Sequence, residues 1–91
     1  MELIIHKNNQ QEARESIMRV VTTLMLDKKN YYITCNKVWF DDLSVCISLD
    51  DKVLAHVDQE TFQNNIIITS EFGFFMDEIK EIINKKIKRH E

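Results

Sequence analysis

The sequence predicts an α+β protein in which two amphipathic helices pack on a three- to four-stranded antiparallel sheet. Three observations carry this. Apolar residues recur at helical spacing near both ends of the chain. The middle is rich in β-branched and aromatic residues, and between positions 43 and 50 apolar and polar residues alternate strictly. Helix-forming and strand-forming stretches are segregated, not interleaved, which points to antiparallel strands with helices on one face. Ninety-one residues allow one domain, spanning 1–91.

Residues 10–29 read as the first helix, with Ala13, Ile17, Val20, Val21, Leu24 and Met25 three and four apart on one stripe. Asn8 or Asn9 supplies an N-cap, Glu12 falls in the first turn and Lys28-Lys29 in the last, in accord with the helix dipole. Ahead of it, Leu3-Ile4-Ile5 reads as a short strand or an apolar arm.

Next come Tyr31-Tyr32-Ile33-Thr34-Cys35 and Val38-Trp39-Phe40 as strands. Asn36-Lys37, between them, or Asp41-Asp42, after them, is an expected turn. Leu43, Val45, Ile47 and Leu49 alternate with Ser44, Cys46, Ser48 and Asp50, and Asp50-Asp51 turns the chain into a strand over 52–57. Residues 65–69 form a last strand that runs into the second helix, whose stripe is Phe72, Phe75, Met76, Ile79, Ile82, Ile83 and Ile87. Thr69 or Ser70 can cap this helix, with Glu71, Asp77 and Glu78 near its start and Lys85-Lys86-Ile87-Lys88-Arg89 at its end.

The composition is 44% hydrophobic and 30% charged, with one Gly and no Pro, which excludes collagen-like, linker-like and disordered classes. No apolar run approaches the roughly 20 residues of a membrane helix. Met1-Glu2-Leu3-Ile4-Ile5 has no basic n-region, so no secretory signal and no membrane association are expected, and the cytoplasm, or a host cell's cytoplasm, is the expected compartment. Cys35 and Cys46, with ten residues between them, read as free, half-buried strand residues.

Gly73 is the lone glycine, so no phosphate-binding loop can form. Cys35, Cys46 and His56 match no zinc spacing. Neither cysteine carries the marks of a nucleophile with an orienting base, and His6 and His90 lie near the termini. The chain is therefore expected to be no enzyme, with no metal, no cofactor and no catalytic residue.

Charge is the more informative signal. The net charge is −3, but residues 1–40 hold four acids and six bases, residues 41–79 nine acids and one base, and residues 80–91 five bases and two acids. Segregation of this kind permits a strong local field on a nearly neutral protein. The acids Asp41, Asp42, Asp50, Asp51, Asp58, Glu60, Glu71, Asp77 and Glu78 are the candidate partner-binding face. Trp39, beside Tyr31, Tyr32 and Phe40, reads as core or as interface, and Phe74 points away from the face shared by Phe72, Phe75 and Met76. Trp39 and Phe74 are thus the candidates for a two-fold homodimer interface.

Two classes of function follow. One is a binding protein that covers a basic partner with its acidic face, either by imitating DNA or as an immunity protein or antitoxin that neutralises a toxin. The other is a nucleic-acid-binding module using the basic C-terminal helix. Charge favours the first: DNA carries one phosphate charge per nucleotide per strand, and alternate residues of a strand lie about 6.6 Å apart along one face.

The length, the opening Met1-Glu2-Leu3-Ile4-Ile5-His6-Lys7-Asn8-Asn9, the run Lys37-Val38-Trp39-Phe40-Asp41-Asp42 and the scarcity of Gly and Pro resemble the Arn anti-restriction family of T-even phages. The resemblance covers the whole chain. It implies a dimeric DNA mimic that occupies the DNA site of the host restriction enzyme complex McrBC, which attacks modified-cytosine DNA. It implies no catalytic residues and no direct contact with nucleic acid. A net charge of −3 is mild for such a mimic.

Overall fold

A computed structural model describes residues 1–37, 42–60 and 63–84. The elements are β1 (Glu2–His6), α1 (Gln10–Met25), β2 (Tyr32–Lys37), β3 (Leu43–Leu49), β4 (Lys52–Glu60), β5 (Asn65–Thr69) and α2 (Gly73–Asn84). The fold is α+β, as the sequence predicts, but the sheet has five strands, in the order β1-β5-β4-β3-β2 with every neighbouring pair antiparallel. The additional strand is the ambiguous N-terminal segment. Leu3 and Ile5 pair with Ile68 and Ile66, which places all four on the buried face and settles strand over arm.

Asn9 caps α1: its backbone is extended, its side chain accepts a 2.8 Å hydrogen bond from the Glu12 N–H, and Ala13 N–H bonds its carbonyl. Ala13, Ile17, Val20, Val21 and Leu24 are buried as the stripe requires. Ser16 joins them by donating its hydroxyl to the Glu12 carbonyl at 2.9 Å, which satisfies a buried polar group locally. The helix stops at Met25, not at residue 29. Asp27 is the cause: its carboxylate accepts from the Lys29 N–H at 3.0 Å, giving the backbone a turn in place of a helical bond, and Asn30 follows in the left-handed region at φ 57°. Met25 is consequently exposed, and Lys28-Lys29 lie beyond the last turn.

β2 runs through Asn36 and Lys37, which pair with Ser44 and Leu43, so the turn expected at those two residues is not there. The strand expected at residues 38–40 and the turn at Asp41 lie outside the described residues. Asp50 and Asp51 do form the β3–β4 turn, at φ 52° and 62°. Positive φ at both central residues is the turn geometry that suits a two-residue hairpin, and Asp tolerates it better than most residues. β4 extends to Glu60 and carries a bulge. Leu49 faces Lys52 and Ser48 faces Val53, but Ile47 faces Ala55, so Leu54 is the extra residue. The bulge explains why Leu54 and Ala55 are both buried in succession.

α1 leads from one edge strand, β1, to the other, β2, across the face of β3, β4 and β5, and α2 packs beside it. Val45, Ile47, Val57, Ile66, Ile68, Phe75, Ile79 and Ile83 form the core between the sheet and the helices. Ser70 prepares α2 without being its cap. Its hydroxyl donates to the Leu54 carbonyl at 2.7 Å and accepts from the Phe72 N–H at 3.0 Å, while Phe72's own carbonyl receives the first helical bonds from Phe75 and Met76. At the far end, the Ile83 carbonyl accepts from both Lys7 Nζ and an Arg19 guanidinium N–H at 3.3 Å, so cations from other elements serve this helix end. The basic run expected there, residues 85–89, lies outside the described residues. No helix among the described residues is long and apolar enough to cross a membrane.

Candidate partner-binding surface

The candidate acids separate into groups that the fold treats differently. Asp50 and Asp51 project from the β3–β4 turn and are exposed. Glu71, in the bend before α2, is also exposed and borders the base of the same hairpin through a cleft of about 240 Å³ shared with Val53, Leu54 and Met1. Asp77 is exposed on α2, one turn after Phe74 and on its side of the helix. The carboxylates of these four make no hydrogen bond or ion pair with another side chain or backbone group of the described residues.

Asp58 and Glu60 sit elsewhere, two residues apart on β4 and pointing to the sheet face opposite the helices. Both are half-buried and already engaged. Asp58 accepts from the Ser44 hydroxyl across the β3–β4 register, and Glu60 accepts from Asn65 Nδ2 at 2.8 Å. Glu78 belongs to a third place, a groove between α1 and α2 lined also by Asp27 and Glu81. The phenol of Tyr31, whose ring is tilted against that of Phe75 with centroids 5.8 Å apart, registers this groove: its pKa is pushed above the ordinary value by burial first, and then by the charges of Glu78 and Asp27.

Asp42 corrects the sequence reading. It is only 1% exposed and so offers no carboxylate to an external face. The chain enters β3 against the start of α1, where Asp42 lies beside Gln10, Arg14 and Gln59. Gln59 secures that junction: it accepts from the Leu43 N–H at 3.1 Å and donates to the Gln10 carbonyl at 3.0 Å. Asp41 and the interface candidate Trp39 lie outside the described residues.

Phe74 is 70% exposed, as its position on the helical wheel predicts. Sequence reasoning missed what surrounds it. Met1 Cε would stand 3.3 Å from a Cβ at Gly73, the Phe72 ring meets the Phe74 ring edge-on at 6.1 Å, and Val53 is half exposed beside Met1. It also missed Asp27 and Glu81 in the helix groove. Glu81 was legible as the residue three positions after Glu78 on one helix face, whereas Asp27 arrives there only through tertiary packing.

Cys46 and His56 face each other across β3 and β4, on one hairpin face. Both cysteines are free, but Cys35 is exposed where half-burial was expected, because it stands on the edge strand β2. Among the described residues no three His, Cys, Asp or Glu side chains converge as metal ligands. No protein family, curated protein or solved structure matches the chain.

Proposed function

We propose that this chain is a non-enzymatic inhibitor that covers the DNA-binding site of a basic, DNA-handling enzyme, a restriction complex of the McrBC kind, and that it does so by presenting carboxylates where phosphates would lie. The observation that carries the reading is the group Asp50, Asp51, Glu71 and Asp77: exposed, on one end of the fold, and without partners among the described residues that would compete with a cation. Charges left in this state contribute little to folding and much to association, because long-range attraction sets encounter rates. A two-fold homodimer belongs to the reading, since it would double an acidic surface that is short on one 91-residue chain.

A second reading is favoured by one feature. Phe74, Met1 and Val53 place exposed apolar surface among those carboxylates, and a phosphate backbone has no counterpart to it. An immunity protein or antitoxin, which must fit a protein and not imitate a nucleic acid, uses such surface directly. A competition titration separates the two. Mimicry predicts that the protein displaces a modified-cytosine duplex from the enzyme and that its affinity falls as salt rises. A complex holding duplex and protein together, with affinity indifferent to salt, contradicts it.

A further inference from the structure

We propose that the end of the fold built from the β3–β4 turn and the start of α2 is a docking site for a basic amphipathic segment of a partner protein. The centre is apolar: Phe74 is 70% exposed, Met1 67% and Val53 50%, and Phe72 lies half-buried beneath them. These residues are contiguous through the Met1–Gly73 approach and the edge-on Phe72–Phe74 contact. The rim is acidic, with Asp50 and Asp51 at the turn, Glu71 at the bend and Asp77 one helical turn beyond Phe74. Among the described residues two cations at this end are already engaged: the Met1 ammonium donates to the Ser70 carbonyl at 2.9 Å, and the Lys52 ammonium stands over the Phe72 ring, 5.3 Å from the centroid.

An apolar centre inside a ring of carboxylates selects a segment with the opposite plan: apolar side chains on one face and Lys or Arg along its borders. The same charge argues against a second copy. A two-fold contact through this patch would bring the acidic rim of one copy against the acidic rim of the other, and like charges across an interface are repulsive. A homodimer therefore uses another surface. The inference deepens the function proposed above, because it rests on a basic partner and names the part of that partner that is held.

The test uses a synthetic amphipathic peptide of about 15 residues, long enough for a few helical turns, with Leu and Phe on one face and Lys and Arg on the other. A scrambled peptide and a Lys-only peptide serve as controls. The amphipathic peptide is expected to bind at least tenfold more tightly than either control. Phe74→Ala, which suits an exposed helix position, should weaken binding at least tenfold. The pair Asp50→Asn and Asp51→Asn, which tolerates positive φ, should weaken it severalfold at low salt and not at high salt. Equal binding of all three peptides, or an unchanged affinity in Phe74→Ala, overturns the proposal. So does sedimentation showing a dimer that Phe74→Ala dissociates. Loss of peptide binding alongside intact displacement of duplex DNA overturns the docking site and leaves mimicry standing; the reverse result overturns mimicry alone.

Discussion

The two ends of β4 carry carboxylates in opposite circumstances. Near Glu60 the fold uses its acids: Asp58 is held by Ser44, Glu60 by Asn65, and Asp42 is buried at the start of β3. Near Lys52 it leaves them in water, with Asp50, Asp51 and Glu71 unengaged by the described residues. The acidic stretch 41–79, which carries a charge of −8, therefore holds two contrasting populations at the ends of β4. One belongs to the stability of the molecule, and the other is available to a partner. Net charge alone does not distinguish them, because a carboxylate's worth depends on whether its desolvation is already compensated.

The contrast is most sharply broken at Gln59. Replacing it with Ala leaves the Leu43 N–H and the Gln10 carbonyl without their partner at a buried junction. This should cost about 1–3 kcal/mol, the usual penalty for a stranded buried polar group. Urea unfolding measures it, and partner affinity per folded molecule should not change. If affinity falls in step with stability, the two ends are not independent.

A smaller effect sharpens the picture of the helix groove. The raised pKa of Tyr31 means that folding favours the neutral phenol. That contribution is full below the unfolded phenol value of about 10 and is lost as pH rises through the folded value. Tyr31→Phe should flatten the alkaline decline in stability, read from unfolding midpoints below and above that pH. An unchanged decline would place its cause outside the groove.

Much of the fold was legible because helical and strand periods differ. The α1 stripe, the Asn9 cap and the Asp50-Asp51 turn all follow from local chemistry. β1 was not decidable, since five residues with apolar side chains on both faces fit an arm as well as a strand until Ile67 and Ile68 supply partners. The end of α1 was missed because a single Asx side chain outcompeted the continuing pattern. The division of the acids was hidden for a different reason. Extending the register from Leu49–Lys52 without interruption would set Ser44 against Val57; the bulge at Leu54 moves it to Asp58 and creates the bond that ties that carboxylate down. One inserted residue thus decides which acids remain available, and no periodicity announces it.

Under the proposed function, the carboxylates near Lys52 that the described residues leave unengaged, and not the engaged ones near Glu60, meet the partner. Two charge-neutralised proteins test it side by side: Asp50→Asn with Asp51→Asn, Glu71→Gln and Asp77→Asn, against Asp58→Asn with Glu60→Gln. The measurement is the association rate with the proposed partner, a restriction complex of the McrBC kind, at low and at moderate salt, alongside unfolding free energy. The account predicts that the first protein keeps its stability within about 0.5 kcal/mol and associates at least tenfold more slowly at low salt, with the difference shrinking as salt rises. It predicts that the second loses about 1 kcal/mol or more of stability and associates at nearly the original rate. The opposite assignment, with slowed association in the second protein and none in the first, would contradict it.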